Sequence, residues 1–589
     1  MTEKQAVAGL HPGVPYDRDP QIEAAGHVET GTAAIVAALQ HDRLSRHAKR
    51  IVIDCFPGVD QQAIRQLAEA TWPNAEVVNA DDFAIAPAEL TAQLAQQLTD
   101  DRVFGRLSHQ VFADFFPETT RQEVKTRLDA SDRQIVVIGC AASLFVDQPD
   151  LLLYADITRW QLQLRLRAGQ PNWHATNGDE DMLRKYKRGY FFEWRLGDRQ
   201  RNADMPRLNW YLDTTARDAP RLASAATLAA CLDTAAHRPF RLVPYFDQSV
   251  WGGQWMKQQF ALDPTVPNYG WAFDGVPEEN SLKFALTGGF LRVPAIALVH
   301  QRPMQLLGAL VQARFGNEFP LRFDYLDTMG GGNLSLQVHP RIDYIQDKFG
   351  MTYTQSESYY ILEAGEGASV YLGVKNGCEK GPLFAALHAA QETGQPFDDT
   401  KFINRFPAHR GDHFSIPAGT IHSGGANTVI LEISQTPYIF TFKLWDWGRI
   451  GLDGRPRPVH LAHGEANANM AFDEDFARRE LIDPSEPVVS GDGHQEEHTG
   501  LQALEFIETR RHHLAAQPST IDAHHGVNML NLVSGTAIRV ESLTDEFPAQ
   551  TYHFGETFIV PATIGAYRVV NLTPTEPAIL MQAFVREQR

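Results

Sequence analysis

Cysteine is scarce. Cys55, Cys140, Cys231 and Cys378 are the only four in 589 residues, and no Cys-x-x-Cys occurs. That spacing gives no support to a disulfide framework or a thiolate metal site, and it suits a reducing, cytoplasmic compartment. Long apolar runs are missing too: none approaches the ~20 residues that cross a bilayer. The opening MTEKQAVAGLHPGVPYDRDP has no apolar core, so residues 1–27 read as a loose tail and not as a secretory signal. Positive charge is in deficit. A formal net charge of −19 argues against nucleic acid and anionic membranes as partners. A small anionic ligand remains compatible, because it needs only a local cationic pocket.

What is present falls into two textures. A chain of this length predicts two to four domains, on the order of 100–200 residues each. Over 28–238 short apolar strands alternate with helices: RIVIDCF (50–56), then DQQAIRQLAEATW (60–72), then further strands in AEVVNADDF, RQIVVIGC and PDLLLYADI. That alternation predicts an α/β domain with a parallel sheet. From 239 the strands shorten and Gly and Pro turns multiply, as in GDHFSIPAGTIHSGG and GETFIVPATIGAYRVV. This is the pattern of an all-β sandwich or barrel. Within 239–482 a helical insert is expected over 379–405. The polar stretch 483–500 reads as a linker, leaving 501–589 as a separate small β domain.

The strand GGGNLSLQVHPR alternates Leu334, Leu336 and Val338 with Ser335, Gln337 and His339. One face is apolar and the other carries an amide and an imidazole. Glu357 follows in SESYYIL and His422 in IPAGTIHSGG. Two imidazoles, a carboxylate and an amide form an N/O donor set that suits Zn²⁺, with Mn²⁺, Fe²⁺ or Co²⁺ as substitutes. A water-facing strand and polar barrel filler are the competing readings.

The glycine, proline and ligand spacings in these segments resemble the two cupin motifs. Several segments in order, SVWGGQ (249–254), FPLRFDYLDTMGGGNLSLQVHP (319–340), SESYYIL, IPAGTIHSGGANTVILEISQ (416–435) and LWDWGRIGLDGRPRPVHL (444–461), resemble the class I, zinc-dependent phosphomannose isomerases. The resemblance implies a double cupin with a helical insertion. It also implies metal ligation by Gln337, His339, Glu357 and His422, and interconversion of mannose 6-phosphate and fructose 6-phosphate through a cis-enediol. The second cupin is expected to be metal-free, because Ala566 falls where a ligating histidine would stand. Glu432, Lys443 and Arg449 are the candidate catalytic groups.

The chain departs from that pattern at two cationic positions, where it has Asp324 and Gln355, and Lys443 replaces an arginine. Arg449, Arg455, Arg457 and Lys283 are candidate replacements for phosphate binding, and a different sugar substrate is the alternative. A metal-containing carbohydrate-binding or regulatory protein without turnover is the second functional class. A small-molecule sugar or sugar phosphate is the expected partner, and homo-oligomers are compatible with the sequence.

The N-terminal domain resembles a uridine-kinase-like P-loop domain in RIVIDCFPGVDQQAIRQLAEA, NADDFAI and LLLYADITRWQLQLRLRAG. It lacks the G-x-x-x-x-G-K-[ST] that cradles phosphates, and Asp60 puts negative charge near a helix start. The expectation is a degenerate domain, with Arg159, Arg165 and Arg167 at a lid and Asp82 near an acceptor hydroxyl. A bifunctional kinase–isomerase is the weakest reading.

Overall fold

A computed structural model of the chain describes residues 9–483, 485–491, 494–500 and 505–586. Residues 1–8 of the expected tail lie outside that set. The chain divides into two compact units, one of residues 21–235 with 278–302, the other of 1–20, 236–277 and 303–589.

The first unit is built on a nine-stranded sheet. Its order is Gly289–Pro294, Ser281–Thr287, Ile22–Thr30, Arg221–Ser224, Trp210–Asp213, Leu151–Asp156, Arg50–Cys55, Ile135–Gly139, Glu76–Asn79. The last five run parallel. Ile51, Val52 and Ile53 are fully buried, as strands covered on both faces require. Two expectations change here. Ile22–Thr30 is a strand and not part of a tail, since it pairs with Arg221–Ser224 and with Ser281–Thr287. The hairpin 281–294, expected in the β half, completes this sheet, and it carries Lys283, whose ammonium lies over the Phe290 ring.

The loop after Arg50–Cys55 carries no phosphate cradle. The Asp60 side chain caps the helix Gln61–Thr71, accepting from the Ala63 N–H at 3.2 Å, and it pairs with Arg217. The protein's own carboxylate therefore occupies the position an anion would take. The expected lid arginines are structural as well. Arg159 is buried against both oxygens of Asp198, Arg165 donates to the Gly58 and Thr214 carbonyls, and Arg167 lies over Trp160.

Among the described residues the second unit holds four sheets. One pair comprises a six-stranded sheet (His413–Ile416, Glu357–Ala364, Thr428–Gln435, Leu321–Asp327, Trp271–Gly275, Tyr245–Asp247) and a five-stranded one (Ile403–Pro407, Ser369–Val374, His422–Gly424, Leu336–Val338, Phe442–Trp445). Tyr359, Ile361, Val370, Phe414 and Ile430 are buried in one core between these strands. The expected insert contains the helix Lys380–Thr393, and its end, Ile403–Pro407, is already a strand of the five-stranded sheet.

The other pair comprises Ser485–Gly491, His494–Thr499, Ile507–Leu514, Ala578–Val585, Asn528–Ser534 and Thr557–Val560, with a four-stranded partner. The stretch read as a linker is thus a hairpin at the edge of this sheet. Its strands are polar and charged, a composition that keeps an edge soluble and hides it from a search for apolar alternation. Residues 9–20 also pack in this unit. Tyr16 stacks on Phe260 with centroids 4.0 Å apart, and the His11 N–H donates to Gln259 at 2.7 Å.

His413 has a consequence for stability. It is fully buried, its Nε2 lies 2.8 Å from the Ser358 hydroxyl, and burial, aided by Arg511, lowers its pKa to about 3. In the unfolded chain the ring takes up a proton near pH 6.5. Between those values the unfolded chain binds one more proton, so stability falls as pH drops through the window, by up to about 1.4 kcal/mol per unit. Denaturant unfolding at pH 7.5, 6 and 5 is expected to show this slope, and His413→Gln to reduce it.

Candidate metal centre

The strands Leu336–Val338 and His422–Gly424 are neighbours, and Gln337 lies directly opposite His422. Lys443 lies opposite Gln337 on the other side. Directly opposed residues share a face, so His422, Gln337 and Lys443 form a row. Glu357 begins a strand of the facing sheet. The Pro417–Gly419 turn that delivers His422 needs a left-handed residue, which Gly419 supplies at φ +94. The Gly419 N–H also donates to the His339 carbonyl at 3.0 Å.

These elements bring His339, Glu357 and His422 together, with one ligand atom from each within 4.8 Å of the others. His339 Nε2 lies 3.0 Å from Glu357 Oε2, and His422 Nε2 lies 3.0 Å from Glu357 Oε1. His339 Nδ1 is 3.1 Å from the Phe440 carbonyl and His422 Nδ1 is 2.8 Å from that of Thr420. A carbonyl can only accept, so each Nδ1 carries a proton and each Nε2 is the ring nitrogen turned toward the cluster, the one free to ligate. Burial opposes the charge on Glu357, but the facing imidazoles outweigh it and hold the carboxyl well below its usual range. The Gln337 amide nitrogen is 3.2 Å from His422 Nε2, and its oxygen accepts from Ser335. A half-turn of that amide would aim the oxygen inward.

The donor set fits a divalent cation. His339 Nε2 and Glu357 Oε1 are buried and make no hydrogen bond among the described residues. Buried polar atoms are rarely left in that state, and two lone pairs around one point are what a metal satisfies.

Behind the cluster lies a second layer of charge. Arg322 donates to Glu432 at 3.2 Å and to Asp324 at 3.1 Å, and Gln355 donates to Glu357 at 2.9 Å. Asp324 and Glu432 face each other across adjacent strands. Burial, set against Arg322, raises Asp324 to about 7. Burial and the charges of Asp324 and Glu357 push Glu432 well up as well. The sequence reading missed Arg322, although it shares Asp324's face at a two-residue offset, the period that would have revealed it.

A cavity of about 1160 Å³ is lined by Ser356, the residue before Glu357, by Pro417, Ala418 and Gln435, and by Arg314, Arg341, Arg510 and Arg586, while His339, Glu357 and His422 are not among its lining residues. Arg314 lies over Phe315 and Phe506, and no carboxylate pairs with it among the described residues. Glu505, also lining the cavity, is buried and raised well above its usual range, chiefly by that burial. None of the cations singled out from sequence lines this cavity. Arg449 and Arg457 both pair with Asp446, and Arg449 also donates to the Asn333 carbonyl at 2.6 Å. The Arg455 N–H donates to Asp453.

The fold and cluster thus define a pair of β sheets in the second unit that encloses a buried His–Glu–His site. Comparison with known proteins narrows the field. The chain is 28% identical over 232 residues to mannose-6-phosphate isomerase of Streptococcus mutans, covering 38% of this chain and 65% of that protein. It is 26% identical over 227 residues to mannose-6-phosphate isomerase ManA of Bacillus subtilis, again 38% and 65%. The chain therefore spans about 65% of the length of the curated relatives it matches. Among solved structures, a Bacillus subtilis mannose 6-phosphate isomerase superposes with a TM-score of 0.48 at 18% identity, over 59% of this chain and 99% of that one. Residues 31–237 match a family described as a domain of unknown function (DUF8485). That match gives the P-loop kinase likeness no support. Among the described residues no helix is long and apolar enough to cross a membrane.

Proposed function

We propose that the second unit is a divalent-metal-dependent aldose–ketose isomerase acting on a sugar phosphate, with mannose 6-phosphate and fructose 6-phosphate as the first pair to test. The observation that carries this reading is the pair of histidines whose Nδ1–H groups are fixed on backbone carbonyls, so that both Nε2 atoms converge on Glu357. The relatives' activity supports the choice of substrate. His339, Glu357 and His422 would hold the ion, with Gln337 as a fourth ligand, and the strands around them read as a cupin. Zn²⁺ suits this set best. The chemistry a divalent ion supplies when bound is charge, which stabilises oxyanion character on the sugar oxygens.

The chain's own groups handle the proton. In the forward direction the C2–H bond breaks, its electron pair forms the C1=C2 bond, and the carbonyl oxygen at C1 takes a proton. Return of a proton to C1 with loss of the proton on the C2 oxygen gives the ketose. Glu432 is assigned as the group that carries the proton between the two carbons. Burial and the neighbouring carboxylates raise its pKa and so strengthen it as a base, and Arg322 fixes its position. Lys443, in the row with Gln337 and His422, is assigned to orient the sugar. Arg449 acts through the 446–457 loop by clamping Asp446.

The direct test is turnover of mannose 6-phosphate by the purified chain. Activity is expected with Zn²⁺, to fall to background after chelation, and to return with the metal. No turnover of any aldose phosphate by the fully loaded protein would overturn the reading.

Arg314 and Arg341 are the cations proposed for the phosphate, since both line the cavity that Ser356, the neighbour of Glu357, also lines. A hydrogen bond to a charged group is worth about 1.5–3 kcal/mol. Arg314→Ala is therefore expected to raise KM for a sugar phosphate roughly 10–100-fold with kcat nearly unchanged.

A second reading is favoured by one observation. Arg322 is engaged by both Asp324 and Glu432, so it offers no free cation next to the cluster. A carbohydrate-binding protein without turnover would bind the sugar yet fail to exchange its C2 hydrogen into heavy water.

A further inference from the structure

The C-terminal β sheets hold a second group of metal-ligating side chains. In the edge hairpin, Glu496 lies directly opposite His512, and His494 is two residues earlier on the same strand face. One ligand atom from each of His494, Glu496 and His512 lies within 4.8 Å of the others, and His494 Nε2 is 3.0 Å from His512 Nδ1. Two nitrogens on one tetrahedral ion, each at about 2.0–2.1 Å, stand roughly 3.3 Å apart, so a small outward shift of the half-buried His494 would admit the ion.

A buried relay fixes the orientation of His512. The Asn528 side-chain amide donates to the carbonyls of Ala523 and Gly526, which leaves its oxygen to accept. Gln582, fully buried, donates from its amide to that oxygen and to the Asp522 carbonyl. Its own oxygen must then face His512 Nε2, at 2.9 Å. His512 therefore carries its proton on Nε2 and turns the Nδ1 lone pair toward His494 and Glu496. This is the support that metal-ligating imidazoles receive from outside the ligand shell. Glu496 has one competitor, Arg510, whose Nη1 is 3.3 Å from Oε1.

We infer that His494, Glu496 and His512 form a second divalent-cation site, in the C-terminal β sheets and built on strands other than the one that begins at Ala566. Two imidazoles and one carboxylate suit Zn²⁺ or Co²⁺, and three protein ligands leave a position for water. The site is independent of the isomerase reading. The alternative is a plain hydrogen bond in which His494 Nε2–H donates to His512 Nδ1.

The test is the metal content of the full chain, stripped with a chelator and dialysed against Zn²⁺. Two equivalents per chain are expected. His494→Ala, at a half-buried position, is expected to hold one and to keep the isomerase turnover of the parent. Glu357→Gln is expected to lose the other equivalent. With Co²⁺, the visible absorption of His494→Ala should drop by about half relative to the parent. Glu496→Gln serves as the second variant if His494→Ala does not fold. A folded His494→Ala chain that binds as much metal as the parent, whether that is one equivalent or two, or a parent chain that binds none, would overturn the inference.

Discussion

Glu357→Gln is expected to lower kcat/KM for sugar-phosphate isomerisation by about 1000-fold or more, with little change in the folded structure. The substitution preserves volume and planarity in a residue that is 1% exposed, so packing is not the cause. It removes the single formal negative charge from the His339–Glu357–His422 group. A divalent ion then faces only uncharged donors, two imidazoles and two amides, and occupancy falls. Several kcal/mol of oxyanion stabilisation go with it, and about 4 kcal/mol corresponds to three powers of ten in rate. Metal analysis and circular dichroism on the same sample separate this outcome from unfolding. A variant with full metal and full activity would remove Glu357 from the site.

Arg241→Met is expected to destabilise the second unit by about 3–5 kcal/mol, the usual cost of removing one partner from a buried ion pair. Arg241 joins three stretches of chain. Its Nη1 donates to the Asp17 carbonyl at 2.8 Å and lies 2.7 Å from Glu556. Its Nη2 lies 3.3 Å from Asp274, and its Nε donates to the Thr557 carbonyl. Tyr16 packs on the guanidinium. Without that charge, Asp274 and Glu556, both nearly inaccessible, face each other uncompensated. Denaturant unfolding measures the loss. The double change Arg241→Met with Asp274→Asn should recover part of it, because the remaining carboxylate then stands alone. A stability loss under 1 kcal/mol would show that water reaches these carboxylates.

The ligand strands were legible in the sequence because a strand that buries one face writes its role into alternate positions. Leu336 and Val338 mark the apolar side and Gln337 and His339 the other, and the structure keeps that division. The charges around them were not legible, because their pairing is decided across strands. Lys283 is near the β half in sequence, yet its strand pairs with Ile22–Thr30 of the other unit. Arg449 sits in a segment that resembles an isomerase motif, but its guanidinium is taken by Asp446. Arg314 lies in the short helix Ala309–Phe315, and nothing in that helix's pattern tells that it borders a cavity. The hairpin 485–499 was hidden for a different reason: with HQEEHT on one strand its signal is chemical and not hydrophobic.

The hairpin 281–294 also governs the order in which the protein can be made. One of the two neighbours of the strand Ile22–Thr30, Ser281–Thr287, emerges from the ribosome about 250 residues after it. Until then the nascent sheet carries an open edge, the kind of surface on which growing chains aggregate. A fragment ending near residue 238 keeps that edge permanently, whereas one extended to 302 closes it.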